Sequence, residues 1–169
     1  MKTTFLKFAF IVIAAVAIHS CKDDDDDDPA PSPTADQNFY NEVIASGYTF
    51  YQSGNTLPGI SPSTHGSFKL RFNSTALGAL DSTGELPVGG TFPTGSILVK
   101  EVYNGGNLDL FAVMKKDPAN TNAGSGWLWA EYDTDGTVIT TVTSKGSPTC
   151  VSCHASNPTR DMVKTFDLH

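Results

Sequence analysis

Two cysteines and a histidine near the end of the chain, in Cys150-Val151-Ser152-Cys153-His154, constrain this sequence more than any other feature. Two thiols three positions apart followed at once by an imidazole form the pattern C-x-x-C-H. The spacing allows thioether bonds to the two vinyl groups of one haem, and the adjacent imidazole then falls beneath the iron as proximal ligand. The expected cofactor is one covalent haem c, held by Cys150 and Cys153, with His154 as the metal ligand. Two other readings of the thiols stay open, an exported disulfide and part of a zinc site. Zinc wants four ligands, whereas this cluster offers three; outside the leader the other histidines, His65 and His169, stand at no zinc-finger spacing.

The N-terminus points the same way. Lys2 and Lys7 flank the start of an apolar run, Phe8 to Ile18, that is short for a membrane span and suits a secretory leader. The run ends in Ile18-His19-Ser20-Cys21, which resembles the bacterial lipobox apart from His19. Residues 1–20 are expected to be a lipoprotein signal peptide and Cys21 the lipidated residue. Haem is attached to c-type apoproteins outside the cytoplasm, so export and C-x-x-C-H are mutually consistent. Residues 21–35 read as a tether: Lys22, Asp23 to Asp28 and a proline-rich stretch repel themselves and bury nothing. The acidic run beside the lipobox also looks like a signal for the outer face of the outer membrane. The expected location is thus an exported chain, lipid-anchored to the outer membrane and displayed at the surface, touching the membrane through that anchor only.

Residues 36–169 are long enough for one core. The formal charge of the whole chain is -7, which gives no reason to expect a nucleic-acid partner. Thr34 and Gln37 have capping-box spacing, Phe39, Tyr40, Val43 and Ile44 recur at helical intervals, and Gly47 marks a stop. Beyond it the pattern is period two, predicting strands over Ser67 to Asn73, Ser96 to Tyr103, Leu108 to Lys115, Gly126 to Tyr132 and Thr137 to Thr143. Asp135-Gly136 predicts a tight hairpin, and Ser74 to Leu80 a short helix capped by Asn73. The expected fold is mainly β (α+β): an antiparallel sheet with one N-terminal helix, short helical segments and a C-terminal haem-binding segment. A small helical cytochrome would carry its motif near the start, with a distal methionine far downstream. Here His154 stands fifteen residues before the last, and Met162 is too close for that arrangement. A four-helix cytochrome needs four long amphipathic helices, and this chain offers about one.

Phe92-Pro93-Thr94-Gly95-Ser96-Ile97-Leu98-Val99-Lys100-Glu101-Val102, the strand Gly126-Trp127-Leu128-Trp129, and Cys150 to His154 followed by Asp161-Met162-Val163 together resemble the cytochrome P-460 and cytochrome c'-beta group. The resemblance spans roughly residues 39–166. It implies a β-sheet protein with a C-terminal c-type haem that handles nitric oxide or hydroxylamine. In period two, Leu98, Lys100 and Val102 share one strand face, while Ile97, Val99, Glu101 and Tyr103 share the other. A lysine between aliphatics is costly if buried without a partner. In hydroxylamine-oxidising P-460 proteins the lysine matching Lys100 is bonded to the haem ring; in c'-beta relatives it is not. Both states stay open for Lys100, the second leaving an ammonium that reaches water or a propionate.

Weaker candidates surround these. His65 is either a proton donor beside the pocket or a turn histidine. Phe68, Phe72 and Phe92 wall the distal side or simply pack. Arg71 reaches a haem propionate or faces water. The distal carboxylate implied by the resemblance matches no residue securely, with Glu101 and Glu131 as candidates. Trp127 and Trp129 belong to the core or to a homodimer interface. The functional expectation is an open, five-coordinate iron site binding or transforming a small nitrogen oxide, served by a redox partner protein, with hydroxylamine-oxidoreductase activity if Lys100 is cross-linked. The alternative is an electron carrier without turnover.

Overall fold

The computed structural model describes residues 32–61, 63–156 and 159–169. The leader, Cys21 and the aspartate run lie outside the described residues. Among those described, six strands form one antiparallel sheet in sequence order: β1 (Thr49–Phe50), β2 (Ser67–Phe72), β3 (Ile97–Asn104), β4 (Asn107–Lys116), β5 (Trp127–Asp133) and β6 (Val138–Thr140). Each strand pairs with its sequence neighbour. Short turns join β3 to β4 and β5 to β6, while longer connections link the other pairs, and consecutive strands lie side by side throughout.

Both faces of the sheet are covered, and so β5 opens with four consecutive buried residues, Trp127, Leu128, Trp129 and Ala130. One face meets α1 (Ala35–Ile44), whose Phe39, Tyr40 and Val43 pack on Val99, Val113, Ala130 and Tyr132. The Thr34 hydroxyl accepts the Gln37 N–H at 3.1 Å, as the capping spacing predicts. The helix ends at Ile44, before the predicted stop, because Ala45 is already extended. The opposite face carries Leu70, Phe72, Leu98, Met114, Trp127 and Trp129, and is covered by the C-terminal segment through Met162, Val163 and Phe166. Trp127 and Trp129 are therefore core residues of their own domain, not a surface strand.

The four predicted central strands lie within a residue or so of their expected bounds. The last is shorter than Thr137 to Thr143, because the Asp36 carboxylate on α1 draws its end away. It accepts the Thr141 hydroxyl at 2.6 Å and the Val142 N–H at 2.7 Å, so pairing to β5 stops at Thr140. The Asp135-Gly136 turn closes a three-residue hairpin loop, with the Asp133 N–H on the Thr137 carbonyl. Gly136 is required there twice over: its φ is +90°, and a Cβ would stand 2.6 Å from the Tyr40 ring. Asn73 caps α2 (Ser74–Leu77), accepting the Ala76 N–H at 3.0 Å, and also ties the start of β3 by accepting the Ile97 N–H.

Candidate haem site

The residues of the C-x-x-C-H motif form α3 (Pro148–His154), a helix that Pro148 opens with a preset φ. Helical spacing puts Cys150 and Cys153 on one face, and both are free thiols lining a cavity of about 590 Å³ between the sheet and the C-terminal segment. His154 lines the same cavity. Its Nδ1 lies 2.7 Å from the Met162 carbonyl oxygen, which can only accept. Nδ1 therefore carries the proton, and Nε2 keeps its lone pair for a metal. Burial pushes the imidazole down to about 4; the Met162 bond opposes this and the Lys100 cation adds to it. At neutral pH the ring is uncharged. Trp129 packs against it edge-on at 4.7 Å, fixing its plane.

The sheet register decides which candidates reach this cavity. Leu70, Lys100, Ala112, Glu131 and Thr140 stand opposite one another in one row across β2 to β6, all on the cavity face. Lys100 and Glu131 lie two strand spacings apart, about 10 Å, with the small Ala112 between them. The Lys100 ammonium stands 4.1 Å from the centre of the Phe68 ring and makes no ion pair among the described residues. Burial lowers its pKa to about 8, an effect that Cys153 partly offsets. A cation over an aromatic face is only partly compensated for lost water, so this amine is held closer to its neutral, nucleophilic form than an ordinary lysine.

Glu131 is the cavity carboxylate. His65 Nε2 donates to one of its oxygens at 3.1 Å and the Thr140 hydroxyl to the other at 3.0 Å. The His65 bond, helped by Thr140, holds the carboxyl below its usual range against the opposing effect of burial. His65 lines the cavity too and is more than a turn histidine, while its own turn is secured by the Ser63 hydroxyl. The sequence carries no local signal for Thr140 or for His169, another cavity-lining histidine, whose ring meets Phe68 edge-on at 5.4 Å.

Four expectations are corrected. Arg71 is opposite Val99 and so faces α1, away from the cavity; its Nε lies 2.8 Å from Glu101, and its guanidinium covers the Tyr48 ring at 4.7 Å. It neither reaches a propionate nor faces water, being 8% exposed. The Nε–H does not point at the carboxylate, so the contact is coulombic rather than a directed hydrogen bond. Glu101 is thereby excluded as a cavity acid. Phe92 does not wall the cavity: its ring packs edge-to-face on Trp127 at 5.7 Å inside the core. Phe72 likewise stacks on Phe166 at 6.0 Å, and of the three phenylalanines Phe68 alone lines the cavity.

Residues 61–165 match the cytochrome P460 family. The chain belongs to that family. No curated protein matches the chain. It is therefore a haem-binding cytochrome, and the residues of this P460 domain fit the cofactor. The cavity is of cofactor size and mostly apolar; a histidine with a free Nε2 and two thiols on one helix face open onto it. Among the described residues, no three His, Cys, Asp or Glu side chains converge where they would hold a bare metal ion. This donor set suits a haem, which His154 would hold through Nε2 and Cys150 and Cys153 through their thiols.

Proposed function

We propose that this P460 cytochrome carries one covalent haem c and binds or transforms a small nitrogen oxide, nitric oxide or hydroxylamine, at an open axial position. The observation that carries the proposal is the Glu131 carboxylate, held between His65 and Thr140 in the same cavity as the metal-binding face of His154. When bound, haem would supply the ligand-binding position and the electron transfer. Cys150 and Cys153 would anchor it as thioethers and His154 would hold the iron as proximal ligand. Glu131, kept ionised by the His65 N–H, is an acceptor for the protons that hydroxylamine loses on oxidation. Lys100 would separate the two: a bond from Nζ to the ring, made by loss of one amine and one ring hydrogen to a two-electron oxidant, would go with hydroxylamine oxidation, and an unlinked ammonium with gas binding. The leader and Cys21 support export and lipid anchoring to the outer membrane with surface display. Electrons then pass to or from a redox partner protein, and the chain acts alone or as a homodimer.

The test is the absorption spectrum and intact mass of the domain produced with c-type haem maturation, recorded oxidised, reduced and after nitric oxide. A mass increased by one haem and a high-spin spectrum that responds to nitric oxide are expected; a strongly red-shifted reduced Soret band would add the Lys100 cross-link. A second reading, the electron carrier, rests on His169, whose place in the cavity wall offers another axial nitrogen. A low-spin, six-coordinate spectrum indifferent to nitric oxide would replace the first reading with this one.

A further inference from the structure

Below the cavity, beside the turn that follows α3, lies a buried charge pair that the chemistry above does not use. Lys116 Nζ is 2.7 Å from Asp161 Oδ1, with the two side chains 12% and 8% exposed. The other carboxylate oxygen accepts the Phe92 N–H at 2.8 Å. The ammonium also stands 4.8 Å over the Trp127 ring. Lys116 closes β4, and its backbone is locked to Gly95 and Ser96, just ahead of β3. One carboxylate thus joins the C-terminal segment to the rigid end of the sheet at two points. Burying two ions is costly before their attraction returns it, so a pair of this kind is worth its place only for what it holds.

It holds a strained turn. Asp161 and Met162 are consecutive residues with φ of +48° and +74°, the left-handed region that non-glycine residues avoid. Each such residue is strained and persists only where its surroundings fix it. This turn aims the Met162 carbonyl at His154 Nδ1, 2.7 Å away, while the Met162 side chain is buried below.

We propose that the Lys116–Asp161 pair positions the proximal histidine, clamping the Asp161–Met162 turn so that an uncharged carbonyl, not a carboxylate, takes the Nδ1–H bond. The inference rests on His154 being the haem ligand. A carboxylate acceptor would draw the ring toward imidazolate and favour oxidised iron. Lys116 keeps the neighbouring anion both neutralised and turned aside. The pair therefore sets the strength of the iron–histidine bond from outside the cavity, and Lys116 and Asp161 are positioning residues rather than catalytic ones.

The two halves of the pair give opposite signatures. In the haem-loaded protein, Lys116→Met leaves an unneutralised anion one residue from the Met162 carbonyl and lowers the midpoint potential. Asp161→Asn keeps the side-chain shape and an acceptor for the Phe92 N–H, leaves an unpaired cation, and raises it. In both, the iron–histidine stretching band of the reduced protein, read by resonance Raman, shifts or broadens; Lys116→Arg, which keeps the pair, restores it. Arg71→Met, which breaks a comparably buried pair on the other face, leaves band and potential at their wild-type values. Bands and potentials unchanged in both Lys116→Met and Asp161→Asn, with only a lower melting temperature, would overturn the proposal. If Lys116→Met fails to fold, Asp161→Asn alone decides by the presence or absence of its upward shift. A wild-type mass without haem would instead bring down the underlying ligand assignment, so the two failures are distinguishable.

Discussion

Replacing Arg71 by methionine should destabilise the folded domain by about 3 kcal/mol and leave its haem spectrum unchanged. Removing one partner of a buried ion pair costs roughly 3–5 kcal/mol, because the other charge is left without compensation. Glu101 would be that charge: it is 14% exposed at its side chain and keeps one donor, the Tyr103 hydroxyl at 3.1 Å, which puts the cost at the low end. Methionine preserves packing on Tyr48 and Phe111 but loses the guanidinium over their rings, a loss already contained in the cost of removing the whole partner. For a domain of this size about 3 kcal/mol lowers the melting temperature by roughly 10 °C. Guanidinium unfolding followed by far-UV circular dichroism measures the free energy, and a double-mutant cycle with Glu101→Gln isolates the pair. The double variant should be more stable than the sum of the single losses implies, by about 1–3 kcal/mol. Strict additivity would mean that the loss does not come from an unpaired buried charge. A shifted Soret band or midpoint potential in Arg71→Met would mean that this side chain does reach the cofactor.

Two further outcomes follow from the cavity and its frame. Lys100 is depressed to about 8 in the fold against 10.5 in the unfolded chain, so from pH 8 to 10.5 the unfolded state binds a proton that the folded state has lost; stability of the haem-free domain then rises with pH by about 3 kcal/mol. Lys100→Met should abolish that rise and, at pH 7, be more stable than wild type by a similar amount; parallel pH profiles of urea unfolding for the two proteins would refute it. Gly124→Ala would put a Cβ 2.2 Å from the Gly146 carbonyl oxygen and 2.7 Å from a Val151 methyl. Displacing the backbone that leads into α3 should cost about 1–3 kcal/mol and lower the yield of haem-loaded protein, measured as the haem-to-protein absorbance ratio; full loading would show that the loop yields freely.

Features set by neighbours a few residues apart are legible in the sequence, and features set by strand pairing are not. The motif at Cys150 to His154, the Thr34 and Asn73 caps and the alternation in four central strands are each fixed by neighbours a few residues apart. Alternation also put Lys100 with Leu98 and Val102, and that face is the cavity face. The same rule sorts β2 into Phe68, Leu70 and Phe72 against Lys69 and Arg71, but it cannot say which set joins Lys100. The register between β2 and β3 does that, by placing Leu70 opposite Lys100 and Arg71 opposite Val99. The two candidate acids differ in the same way. Glu101 adjoins Lys100 in one strand, so once Lys100 faces the cavity Glu101 must face away. Glu131 lies two strands off and reaches Lys100's row only because β3, β4 and β5 pair without a slip between Lys100, Ala112 and Glu131. A one-residue shift in either pairing would send Glu131 to the α1 face and break its contact with His65. The carboxylate end of the cavity is thus a product of sheet register, just as its C-x-x-C-H end is a product of five consecutive residues. The two ends are brought together by the C-terminal segment, whose Phe166 stacks on Phe72 of β2 and whose Met162 carbonyl holds His154.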